Sequence, residues 1–125
     1  MKRLSILVFF VVAFILTGCA RPPQVLTFTG EGRDWTGTYI VKTTGESHIS
    51  SYALKYKSSD TNSVGDVRYT INAPTEGTSD TKRLSGTGEI TGQLPLVGGL
   101  PPKTKPVKIK VEWNGQVDVF NLISK

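Results

Sequence analysis

Cys19 and His48 are the only side chains here that could serve as a thiolate nucleophile or as an imidazole base, since the chain holds one cysteine and one histidine. Nucleophilic catalysis needs such groups within hydrogen-bond reach of one another, with a third group to orient the base. Cys19 ends an apolar run at Leu16-Thr17-Gly18-Cys19, whereas His48 opens an expected strand, so no pair is proposed. The acids Glu31, Asp34, Glu46, Asp60, Asp66, Glu76, Asp80, Glu89, Glu112 and Asp118 are scattered among turns and outer strand positions. Carboxylates in such places ordinarily form turns or carry solvated charge. A structural zinc site needs several Cys or His ligands, and no Asp-x-Asp-x-Asp spacing suggests calcium. Gly86-Thr87-Gly88-Glu89-Ile90-Thr91-Gly92 spaces its glycines as GxGxxxG without a following helix to hold phosphate. Glycines within a strand mark a bulge or a close approach of backbone instead. The expectation is therefore no catalytic residue, no metal, no cofactor and no enzymatic activity.

The lone cysteine has another use. Lys2 and Arg3 precede an apolar run from Leu4 to Leu16 interrupted only by Ser5, and Thr17-Gly18 are small residues before a cleavage point. This is the layout of a secretory signal. A membrane-spanning helix needs about 20 apolar residues, which this run does not supply. An unpaired cysteine in an exported chain also calls for an explanation. The cleavage site resembles a lipobox, the Leu-x-Gly-Cys pattern of bacterial lipoproteins. That resemblance implies a diacylglycerol on the Cys19 sulfur and cleavage just before it.

The domain expectations follow: residues 1–18 as lipoprotein signal peptide, 19–24 as lipid-anchored linker and 25–125 as a single domain. Loss of Lys2 and Arg3 lowers the basic residues from 15 to 13 against 10 acids, and the formal charge from +5 to +3. This excess is too diffuse for nucleic acid, which calls for a clustered basic face. It suits an anionic leaflet or wall polymer. Ala20-Arg21-Pro22-Pro23-Gln24 reads as a short spacer reaching about 15 Å. With no further cysteine, the fold must hold by apolar burial and backbone pairing.

After residue 24 the hydrophobic period is two. Trp35, Gly37, Tyr39 and Val41 alternate with polar neighbours, as do Tyr52, Leu54 and Tyr56, and Val67, Tyr69 and Ile71. Val107, Ile109, Val111 and Trp113 against Lys108, Lys110 and Glu112 is the cleanest case. Turn-forming residues fall at Gly30-Glu31-Gly32, Thr44-Gly45, Ser58 to Gly65, Ala73 to Asp80 and Gly98 to Pro106. With Val25 to Phe28, Leu84 to Thr91 and Val117 to Ile123 added, about seven strands result. The expected class is all-β, a two-sheet antiparallel sandwich of immunoglobulin or fibronectin-like form, with a small β-barrel as the alternative. Asn114-Gly115 predicts a two-residue hairpin pairing Trp113 with Gln116, Val111 with Asp118, Ile109 with Phe120 and Val107 with Leu122. Val117 and Val119 then face outward, so that face is partly covered or a bulge shifts the strand.

Gln93 to Pro106 holds four of the seven prolines. Its Leu96, Val97 and Leu100 form a candidate interaction loop, or else cap one end of the fold.

Gly30-Glu31-Gly32-Arg33-Asp34-Trp35-Thr36-Gly37-Thr38-Tyr39 is similar to the G-E-S-x-N-W-x-x-x-Y segment of small uncharacterised lipoproteins of Bacillus and its relatives. The closing Val-Glu-Trp-Asn-Gly-Gln resembles their V-x-W-N-G-K ending. Gly32 and Asp34 depart from the pattern, and the resemblance brings no established activity. The resulting expectation is a non-enzymatic binding or accessory envelope protein on the extracytoplasmic face. Its expected partners are membrane lipid through acylated Cys19 and an envelope protein or wall polymer. The alternative is a carbohydrate or cell-wall recognition module, with Tyr52, Tyr56 and Tyr69 stacking on sugars.

Overall fold

The computed structural model describes residues 24–44, 47–95 and 101–125. Its strands are β1 (Gln24–Glu31), β2 (Trp35–Thr44), β3 (Ser47–Tyr56), β4 (Asp66–Asn72), β5 (Gly77–Arg83), β6 (Glu89–Pro95), β7 (Val107–Trp113) and β8 (Gln116–Ser124). A single 3-10 turn at Thr61–Ser63 is the only other regular element among the described residues. The fold is all-β, as the period of two requires.

All eight strands belong to one antiparallel sheet ordered β5-β4-β7-β8-β1-β2-β3-β6. Of the two architectures open to the sequence, the barrel describes the chain, not a pair of separate sheets. The reason is β8, which pairs along its length with β7 and also meets β1 at Phe28↔Ser124 and Thr29↔Ile123. That short seam joins two four-stranded halves and lets one sheet roll around one core. The edge strands β5 and β6 face each other, and Lys82 Nζ donates to the Thr91 carbonyl at 3.0 Å across the nearly closed gap.

The extra strand is β5, in a stretch expected to turn as far as Asp80. Its sequence, Gly-Thr-Ser-Asp-Thr-Lys-Arg, has no apolar residue because it lies at an edge and stays largely exposed. Hydrophobic periodicity cannot register a strand that buries so little. Leu84 to Thr91 also differs from expectation: Gly88 N–H donates to the Ser85 carbonyl, with φ +73 at Gly88, and the strand starts only at Glu89. β6 then runs to Pro95, a proline that an edge strand tolerates because one side needs no donor.

The Asn114-Gly115 turn has φ +46 and +71, and its register matches the expected pairs throughout. Val117 and Val119 are each 50% exposed on a regular strand, so the outer face is neither covered nor shifted by a bulge.

Eight strands leave an interior that side chains can fill, and large ones fill it here. Phe28, Tyr39, Leu54, Tyr69, Ile71, Ile109 and Leu122 line the core. Near the β7–β8 turn, Trp35, Tyr56 and Trp113 pack together, with ring centroids 5.2 Å (Trp35–Tyr56) and 5.6 Å (Trp35–Trp113) apart. Gly92 faces Tyr52 so closely that any side chain there would strike the phenol. Trp113 is 4% exposed; Trp113→Ala should therefore cost about 3–5 kcal/mol. Chemical denaturation of residues 20–125 measures it, and a loss below about 1 kcal/mol would contradict the packing role.

Candidate functional site

Cys19, Leu96, Val97 and Leu100 lie outside the described residues. The described chain nevertheless reaches both sides of the candidate loop. Leu94 packs partly against the core, its carbonyl accepts a hydrogen bond from Ser50 Oγ at 3.1 Å, and Pro101 is buried. The loop is thus shorter than the expected Gln93–Pro106 segment, because Gln93–Pro95 belong to β6.

The three tyrosines considered for sugar stacking face inward. Tyr52 and Tyr69 are buried and share a 2.7 Å hydrogen bond between their hydroxyls, linking β3 to β4 across the core. Tyr56 packs on Trp35 and Trp113. A carbohydrate-binding face would need these rings on an open surface.

One end of the barrel holds a polar cluster that periodicity did not single out. Glu76, in the turn between β4 and β5, reaches inward so that Tyr39 Oη and Ser50 Oγ donate to its Oε1. This ties the β4–β5 turn to β2 and β3. Burial raises the Tyr39 pKa above its ordinary value, and its bond to Glu76 adds to the shift. Burial first, and then the hydroxyl of Tyr52, raises that of Tyr69. Ser50 is fully buried, its hydroxyl held between the Glu76 carboxylate and the Leu94 carbonyl, so it is not presented to solvent. His48 pairs with Thr43 in the ladder, and its Nδ1 is buried without a partner. The cluster therefore does structural work: it satisfies polar groups at the barrel end.

At the opposite end lies the one charged side chain buried among the described residues, Asp118. Its Oδ2 accepts the backbone N–H groups of Asp34 at 2.9 Å and Trp35 at 3.2 Å, and its Oδ1 that of Arg33 at 3.2 Å. The carboxylate thus clamps the β1–β2 turn from β8. Gly32 lies so close to it that a Cβ would collide with both oxygens. Asp118, expected among the turn and outer acids, is instead buried. The signal was present: the two-residue turn sets Asp118 opposite Val111, an inward position.

The outer surface divides by character. Thr38, Ile40, Ser51, Ala53, Thr91 and Gln93 line a shallow groove of about 450 Å³ on β2, β3 and β6. Its lining also includes Tyr52 and Gly92 but no carboxylate, histidine or lysine. Val117, Val119 and Ile123 expose an apolar row on β8. Lys103, Lys105 and Lys108 project around the turn before β7 and into its start. Among the described residues no group of three His, Cys, Asp or Glu is arranged to hold a metal, and no helix is long and apolar enough to cross a membrane. No protein-family model, curated protein or solved structure matches the chain.

Two measurements test these interior contacts. Asp118→Ala should destabilise the fold by about 2–4 kcal/mol, because three N–H groups lose a charged acceptor; a denaturation midpoint equal to wild type would refute the clamp. The raised Tyr39 and Tyr69 pKa values mean that stability is fully present below the unfolded phenol value of about 10 and is lost as pH rises beyond it. In an alkaline titration, phenolate absorbance from these two residues should appear only as near-ultraviolet circular dichroism collapses. Ionisation of every tyrosine with the dichroism intact would contradict their burial.

Proposed function

We propose that the chain is a membrane-anchored bacterial lipoprotein, held on the extracytoplasmic face through acylated Cys19. In this reading it acts by binding, or as an accessory envelope component, without catalysing a reaction. The observation that carries the reading is Leu16-Thr17-Gly18-Cys19 behind Lys2-Arg3 and the apolar run Leu4 to Leu16. It gains support from the position of the domain. Among the described residues the first strand begins at Gln24 and the buried apolar core runs from Phe28 to Leu122, all downstream of the proposed cleavage point.

Leu96, Val97 and Leu100 remain the candidate contact for an envelope protein or wall polymer. The loop joins Leu94, packed against the core, to buried Pro101, so its roots are held. Carbohydrate recognition is the weaker reading, since the rings that would stack on sugars are packed inside the barrel.

Exchange of Cys19 for Ser tests the anchor. The variant should leave the detergent phase on partitioning or retain its uncleaved signal. Partitioning and processing identical to wild type would exclude the lipoprotein reading.

A further inference from the structure

The barrel has two unlike ends, and the chain enters at the basic one. β1 begins at Gln24 beside the end of β2, and the same end of the barrel collects the end of β8, the start of β7 and the turn that precedes it. That turn, closed by the Lys105 N–H donating to the Pro102 carbonyl at 3.2 Å, raises Lys103 and Lys105 at its tip. Lys108 follows on the outer face of β7. Lys125 continues β8, its N–H donating to the Thr27 carbonyl at 3.2 Å. Across the neighbouring strands, Val25, Lys42 and Ile49 stand side by side on the outer face, an exposed cation between two half-exposed apolar residues.

Acidic charge is distributed the other way. Glu76, the described acid at the basic end, turns inward to Tyr39 and Ser50; Glu46 lies outside the described residues. Glu31, Asp34, Asp60, Asp66 and Glu89 gather at the far end, where Arg33, Lys55, Lys57 and Arg83 stand beside them and offset their charge.

We propose that the lysine-bearing end is a docking surface for anionic phospholipid headgroups. The proposal rests on the acylation of Cys19. Residues 20–23 separate that anchor from β1, so the first strand starts within about 15–20 Å of it. A tether this short holds the basic end nearest the leaflet, whereas the far end, where acids and cations offset one another, offers no comparable attraction. Attraction of lysines to an anionic leaflet acts within a Debye length, about 8 Å at physiological salt. The Val25–Lys42–Ile49 row adds apolar side chains able to enter the headgroup layer, with a cation between them for the phosphate.

The test uses the full chain as processed and acylated by a bacterial host, reconstituted into vesicles carrying a headgroup quencher. One fluorophore is placed through Thr104→Cys at the lysine turn, and another, in a separate sample, through Ser59→Cys at the far end. In vesicles of equimolar phosphatidylglycerol and phosphatidylcholine the Thr104 site should be quenched strongly, and in pure phosphatidylcholine weakly. The Ser59 site should be quenched weakly in both. Raising the salt should abolish the difference. Exchanging Lys103, Lys105 and Lys108 for Gln should lower the docking equilibrium constant about five-fold per lysine, while far-ultraviolet circular dichroism stays unchanged. Equal quenching at Thr104 in the two vesicle types, or equal quenching at Thr104 and Ser59, overturns the proposal. So does a soluble anionic wall polymer that protects Thr104 where the two vesicle types do not differ, which would assign the lysines to the polymer. The mass of the N-terminal peptide reads acylation separately: an unmodified Cys19 overturns the anchor and the docking with it, whereas equal quenching on an acylated chain overturns the docking alone.

Discussion

Burial of the Asp118 carboxylate is the contact on which the barrel end depends. A charge removed from water destabilises a fold unless polar partners replace the hydration it loses. Here the N–H groups of Arg33, Asp34 and Trp35 do so, all from one turn. The exchange couples two distant segments: the turn has its donors satisfied only when β8 lies in register beside it, and β8 can bury Asp118 only when the turn closes over it. Gly32 is part of the same constraint, because a side chain would occupy the volume that the carboxylate needs. Trp35 follows at once, and its ring, set by the clamped backbone, packs on Trp113 and Tyr56.

A second polar tie governs the other end. Glu76 reaches from the β4–β5 turn to Tyr39 on β2 and Ser50 on β3, and Tyr52 meets Tyr69 across the core. These bonds join strands far apart in the order of the sheet, where no backbone ladder connects them. They draw the two halves together around the short β1–β8 seam. Large rings and aliphatic side chains fill the interior.

The ends differ in charge because hydrogen bonding treats their acids differently. At the far end the surface acids stay in solvent, with Glu31 paired to Lys57 at 2.9 Å and Asp34 to Arg33 at 2.8 Å. At the near end Glu76 is withdrawn from the surface, which leaves the lysines of the β7 approach as the dominant field. A modest net charge thus becomes a directional one.

Local pattern determined much of this protein. The period of two reports strands that bury one face, so β2, β3, β4 and β7 were legible, and Asn114-Gly115 requires a turn whose positive φ values fix β8 against β7. The signal-like segment and Cys19 likewise rest on local order of residues alone. Closure was decided by the tertiary structure. Sandwich and barrel share the same alternating strands and differ in whether β8 meets β1, a pairing between the two ends of the chain that no local window contains. β5 escaped for a related reason: an edge strand of polar residues exists through its ladder with β4, and its own sequence carries no apolar face. The inward carboxylates of Asp118 and Glu76 were hidden because an acid is soluble wherever it stands alone; only the folded backbone and hydroxyls, brought from remote positions, make its burial favourable.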